Sequence, residues 1–156
     1  MGLREDILKK TVADLELREI IKVRPHDTVS SVVSIMQQKR LGCVVVVDDD
    51  DRPLGKFTEK QLTSLVLKNQ SAMDEQVGEH MTSAWSTVEK TDPISKVLDA
   101  MQSKGLRFVI VVDSDGRAVG LTGQKGMMEY IADHFPRQVK VQMMESKLYM
   151  DEREGA

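Results

Sequence analysis

Cysteine occurs once in the 156-residue sequence, at Cys43, so no intramolecular disulfide is available and a thiolate-rich zinc site cannot be completed. Positive charge is not in excess: 22 Lys and Arg stand against 25 Asp and Glu, a formal net charge of -3. That balance supplies no basic field for a phosphate backbone, and no nucleic-acid partner is expected. No apolar run reaches the length of a bilayer span, and Met1-Gly2-Leu3-Arg4-Glu5-Asp6 lacks the apolar core of a secretory signal. No membrane association and a cytoplasmic location are therefore expected. The chain also lacks a Gly-x-Ser-x-Gly elbow, a Walker loop and a Gly-x-Gly-x-x-Gly turn after a strand, and nothing pairs a nucleophile with a base. No catalytic residue is expected, and the protein is read as a non-enzyme. His26, His80 and His134 are scattered rather than paired at ligand spacing, so no metal site is expected. The four consecutive carboxylates of Asp48 to Asp51 diverge from one another and read as a solvated turn.

What the chain does contain is a duplication. Slid against itself by 65 residues, the middle of the sequence aligns without a gap: Val23 meets Val88, Asp27 meets Asp92, Met36 meets Met101, and Gly55 meets Gly120. From 23–55 against 88–120, 15 of 33 positions are identical, which composition alone does not produce.

Each copy changes its hydrophobic period in the same order. Val29, Val32, Val33 and Met36 follow helical spacing after a capping Asp27; Ile94, Val97, Leu98 and Met101 do so after Asp92, with Pro93 in the first turn. The unbroken apolar runs 43–47 and 108–112 are too short for helices and have no wet face, so they predict central strands. Turns at 48–53 and 113–117 lead into strands at 54–57 and 118–122, then helices over 59–69 and 124–134. Short strands at 20–23 and 86–88 complete a β-α-β-β-α unit, with helical lead-ins at 11–17 and 77–81. The fold class is α+β: two such units, at 11–70 and 77–135, packed about a pseudo-twofold axis. Residues 1–10 form an N-terminal segment and 69–76 a polar linker. Residues 136–156 form a C-terminal extension, in which 137–143 alternates like a strand before a helix-like 144–148.

The segments Asp27-Thr28-Val29 with Met36, Val44-Val45-Val46-Val47-Asp48 and Gly55-Lys56-Phe57-Thr58, echoed by Asp92-Pro93-Ile94 with Met101, Val109-Ile110-Val111-Val112-Asp113 and Gly120, carry a family likeness. The chain resembles a tandem pair of cystathionine-β-synthase (CBS) domains, a Bateman module, over about residues 10–135. The resemblance implies a regulatory module binding an adenosyl ligand such as AMP, ADP, ATP or S-adenosylmethionine between the repeats, with no required cofactor.

In that family a hydroxyl and, three residues later, an aspartate at the start of each second helix meet the ribose. Here the first copy keeps Thr58 but has Gln61 for the carboxylate, and the second has Gly123 and Gly126. The resemblance therefore implies two unequal clefts. The better one combines Lys56, Thr58 and Gln61 with Ser86 and Leu106. The weaker one combines Ile21 and Leu41 with Leu121, Gly123 and Gly126. Arg40 and Arg107 lie near the helix-to-strand junctions, where they either meet a phosphate or are ordinary surface arginines at helix ends, and Trp85 falls just before the second repeat's first strand, either stacking on a base or buried as a packing aromatic. The alternative is a ligand-free dimerisation or interaction module with degenerate nucleotide sites. Leu62, Leu65, Val66, Met127, Met128 and Ile131 are apolar helix residues expected to need cover, which points to a homodimer. The sequence does not name the effector protein it regulates.

Overall fold

The computed structural model describes residues 2–136; the strand-like and helix-like stretches expected at 137–148 lie outside the described residues. Two three-stranded sheets form the centre. In the first, β1 (Lys22–Val23) runs parallel to β2 (Cys43–Val47), which pairs antiparallel with β3 (Pro53–Thr58). The second repeats the order with β4 (Thr87–Glu89), β5 (Phe108–Val112) and β6 (Ala118–Gly123). Each unbroken apolar run is thus the middle strand, and both its faces are covered. Val44 and Val46 point to the helices, whereas Cys43, Val45 and Val47 pack face to face with Ile110, Val112 and Leu121 across the pseudo-twofold axis. A fully buried valine contributes about 1.5–3 kcal/mol, so this double burial is the main stabilising feature of the centre.

Helices α1 (Leu3–Lys9), α2 (Val29–Lys39), α3 (Glu59–Lys68), α4 (Ile94–Lys104) and α5 (Gln124–His134) surround the sheets. The cap of α2 falls one residue later than the sequence spacing implied. Thr28 accepts from Ser31 N, while the Asp27 carboxylate is already taken by Arg24 N at 2.8 Å. Pro93 holds the corresponding N-cap of α4, and Asp92 instead accepts from Glu89 N and Lys96 Nζ. Both aspartates close the strand-to-helix turn rather than the helix.

The β-hairpin turns match each other atom for atom. Asp48 Oδ1 accepts from the amides of Asp50 and Arg52, and Asp113 Oδ1 from those of Asp115 and Arg117. Each turn needs one left-handed residue, Asp51 in the first copy and Gly116 in the second.

The lead-ins cross over. Val12 and Leu15, ahead of the first repeat, belong to the second repeat's core with Val88, Ile94, Val97 and Tyr130. Val77, ahead of the second repeat, belongs to the first repeat's core with Val29, Val44 and Phe57. The backbone fixes both exchanges: Val12 N donates to Asp92 O at 2.9 Å, and Val77 N to Asp27 O at 2.8 Å. Between α3 and Val77 the chain makes a 3-10 turn, Gln70–Asp74, which buries Ala72.

Helix α1 packs against the second core through Leu3 and Ile7, and its buried Asp6 accepts from Tyr130 Oη at 3.1 Å. This covers part of the surface the sequence left for a partner. Met127 is buried in that core and Ile131 packs against it, as Leu62 and Leu65 do against the first core. Val66 and Met128 stay exposed, and Leu67 on α3 is 82% exposed.

Candidate functional site

The two strand-to-helix junctions, β3 to α3 and β6 to α5, each open a cleft against the opposite repeat. The first is about 250 Å³ and brings together Lys56, Thr58 and Gln61 with Leu106. Ser86 does not line it: that residue lies beside β4, where its carbonyl accepts from Ile110 N. Phe108, Thr82 and Ala84 complete the wall instead. The second is about 480 Å³ and brings together Leu41, Leu121, Gly123 and Gly126. Ile21 is not in its lining, because its side chain joins the first repeat's core. Trp85 packs at the inter-sheet core and lines neither cleft. Gly42, Glu59, Arg107 and Phe108 border both clefts and form their common wall.

In the first cleft, whose lining also includes Lys60, Lys104 and Arg107, the groups of Lys56, Thr58 and Gln61 are engaged with the protein itself. Lys56 is 4% exposed and its Nζ donates to Phe108 O at 3.0 Å. Burial pushes its amine below the usual 10.5, and the nearby Cys43 opposes that shift. Thr58 and Gln61 form a capping box on α3: the amide of Thr58 donates to Gln61 Oε1 at 3.0 Å, and its hydroxyl to the same oxygen. Glutamine three residues after a threonine is thus explained by the helix start alone.

The second cleft is built differently. Gly123 has φ +150°, and a Cβ there would stand 2.1 Å from Arg107 O. The position therefore demands glycine, and a hydroxyl-bearing residue cannot replace it on this backbone. Gly126 is closed in by Thr122 Oγ1, 3.1 Å from where its Cβ would be. Thr122 is 4% exposed, and among the described residues its hydroxyl has no hydrogen-bond partner. Arg18, Arg40, Arg107 and Lys125 line the same cleft, with Glu59 as a carboxylate on its wall. Arg18 bonds Glu129 at 2.7 Å through one terminal nitrogen, and its buried Nε has no partner among the described residues. Neither Arg18 nor Thr122 stood out in the sequence; the sign was the repeat offset, which places Thr122 opposite Phe57.

A third cluster lies away from both clefts. His80 Nε2 is 2.6 Å from Glu75 Oε2, and Glu79 adds a carboxylate whose oxygen lies within 4.8 Å of both. The scattered histidines gave no hint of this, because its partners are glutamates one and five residues before His80.

The family model described as CBS domain matches residues 12–68 and again 77–133. The chain belongs to the CBS-domain family. A CBS domain protein from Pyrobaculum aerophilum, solved in complex with AMP, is 21% identical and superposes with a TM-score of 0.70, over 86% of this chain and 98% of that one. The CBS domain pair of the protein MJ0100, solved with 5′-methylthioadenosine and S-adenosyl-L-methionine, is 18% identical with a TM-score of 0.71, over 80% and 97%. These likenesses establish the fold. Among curated relatives, an uncharacterized protein of Methanopyrus kandleri is 26% identical over 120 residues, 76% of this chain and 61% of that protein. A homoserine O-acetyltransferase of Methanohalobium evestigatum is 23% identical, over 78% of this chain but 24% of the enzyme. The chain thus spans less than two thirds of both. Among the described residues no helix is long and apolar enough to cross a membrane.

Proposed function

We propose that this CBS-domain pair is a non-catalytic regulatory module that senses a phosphorylated adenine nucleotide, and that the larger cleft is the one that takes it. The observation that carries the reading is the buried Thr122 hydroxyl, without a partner among the described residues, in a lining that also holds Arg40, Arg107 and Lys125, with Arg18 already paired to Glu129. Guanidiniums suit phosphate because their fork of donors matches its oxygens. Gly123 leaves the start of α5 without a side-chain cap, so its first-turn dipole adds to the attraction for an anion. Leu41, Leu121, Phe108 and Met128 give the apolar surface a base requires. On this reading AMP, ADP and ATP bind better than S-adenosylmethionine, whose sulfonium brings positive charge into a cationic cleft. The smaller cleft is secondary, its Lys56, Thr58 and Gln61 being used in the fold.

Calorimetric titration with AMP, ATP and S-adenosylmethionine tests this. Phosphate-bearing ligands are expected to give heat, and Arg107→Ala to weaken them by about 1.5–3 kcal/mol. The second reading, a ligand-free dimerisation or interaction module, is favoured by the missing carboxylates at Gln61 and Gly126 and by the exposed Leu67. No heat with any of the three, together with a dimer by light scattering, would establish it instead.

A further inference from the structure

We propose that Glu75, Glu79 and His80 form a binding site for one divalent transition-metal ion of the zinc class, separate from the nucleotide clefts. The donor set is one imidazole nitrogen and two carboxylates, the mixture that zinc accepts and that distinguishes the cluster from a solvated acidic patch. An all-oxygen set would favour calcium or magnesium, and no thiolate is present to select a softer ion.

The three donors project from a fixed backbone. Glu75 O accepts from Val29 N at 2.9 Å, Val77 N donates to Asp27 O, and Gly78 N donates to Pro25 O at 2.9 Å. A Cβ at Gly78 would lie 2.9 Å from Pro25, so this turn is pressed onto the first repeat. Asn69 Nδ2 reaches the other oxygen of Glu75 at 3.4 Å, as an outer group that orients a ligating carboxylate would. Among the described residues no lysine or arginine pairs with Glu75 or Glu79, and the Glu79 carboxylate has no hydrogen-bond or ion-pair partner. The Glu79 carboxylate is thus neutralised by no ion pair among the described residues.

Binding requires a small adjustment. Two ligands on a tetrahedral zinc with bonds near 2.1 Å stand about 3.4 Å apart, so the 2.6 Å His80–Glu75 pair opens slightly and Glu79 closes in. The bond that forms is from His80 Nε2 to the metal. A proton on Nε2 moves to Nδ1 in the neutral ring, or leaves to solvent if the ring is protonated. Water fills the remaining position on the exposed side, and no redox change is involved. The ion would fasten the crossing lead-in onto the first repeat just ahead of Thr82 and Ala84, which form the wall of the smaller cleft.

The test is titration of the metal-free full chain with Zn²⁺ by calorimetry and with Co²⁺ by visible absorption. One ion per chain is expected, with the intense absorption of a low-coordinate cobalt site and a metal-dependent rise in Tm. Glu79→Gln, at an exposed side chain without partners, keeps the fold and is expected to weaken binding about tenfold or more. His80→Ala removes the nitrogen ligand and the cobalt signature together. Binding that is unchanged in Glu79→Gln and His80→Ala, or no binding at millimolar Zn²⁺, overturns the proposal. Neither result depends on whether a nucleotide binds.

Discussion

The ammonium of Lys56 and the carbonyl oxygen of Phe108 are 3.0 Å apart, a hydrogen bond that joins β3 of one repeat to β5 of the other. Because Lys56 is almost wholly shut off from water, removing it takes the donor from the Phe108 carbonyl at a half-buried position. Lys56→Ala is expected to lower stability by about 1–3 kcal/mol, measured by urea denaturation. Lys56→Met keeps the packed stem and is expected to lose less. Equal losses in the two variants would place the contribution in the charge alone.

Cys43 gives a pH signature. Its burial pushes the thiol from 9.0 up to about 12, while the thiol of the unfolded chain ionises at its ordinary value. The folded pKa is raised, so the stabilisation is complete below pH 9 and is lost as pH rises toward 12. Between pH 9 and 10, stability is expected to fall more gently in Cys43→Ala than in the parent chain; parallel slopes would exclude the thiol as the cause. The folded chain should also resist alkylation by iodoacetamide that the denatured chain undergoes readily.

Two glycines with positive φ predict losses of different size. A Cβ at Gly105 meets nothing within 4 Å, so Gly105→Ala pays for left-handed backbone alone, about 1–2 kcal/mol. Gly123→Ala meets Arg107 O as well and is expected to cost clearly more, with loss of the folded state as one measurable form of it. Thermal melts of the two variants side by side decide the order.

The capping box at α3 separates helix chemistry from ligand chemistry. Gln61→Ala is expected to destabilise by about 0.5–2 kcal/mol, and Gln61→Glu to retain the cap. If Gln61→Ala instead weakens AMP binding while leaving Tm unchanged, the smaller cleft holds the ligand after all.

The repeat offset made most of the architecture legible, because the same strand and helix periods occur twice and the all-apolar 43–47 and 108–112 admit no wet face. The clefts were harder to read. Lys56, Thr58, Gln61 and Leu106 meet as expected, but Ile21 and Ser86 do not reach their clefts: Ile21 joins a helix-covered core, and Ser86 contributes its carbonyl to the sheet. Motif comparison treats Gly123 as a lost hydroxyl, whereas a backbone contact with a residue 16 positions earlier sets its identity. Capping was displaced by one residue because Asp27 and Thr28 compete for the same role, and only the turn geometry decides between them. The Glu75–Glu79–His80 grouping depends on the path of a 3-10 turn, which hydrophobic periodicity does not encode.

The exchanged lead-ins impose an order on biosynthesis. Val12 and Leu15 leave the ribosome long before Tyr130 and Phe135, which belong to the core they enter. Until then the amino-terminal segment has apolar side chains without a destination, and seating it closes a loop longer than half the chain, an entropic charge that grows slowly with length. The first repeat's helix-covered core, by contrast, has its last fully buried member once Val77 has emerged. Synthesis therefore passes through a stage in which the first repeat's core can assemble while the segment around Val12 still waits for its own, and a ribosome-stalled chain extended far enough past Val77 to carry that residue clear of the exit tunnel would show protease protection over β1 to α3 while α1 is still cleaved.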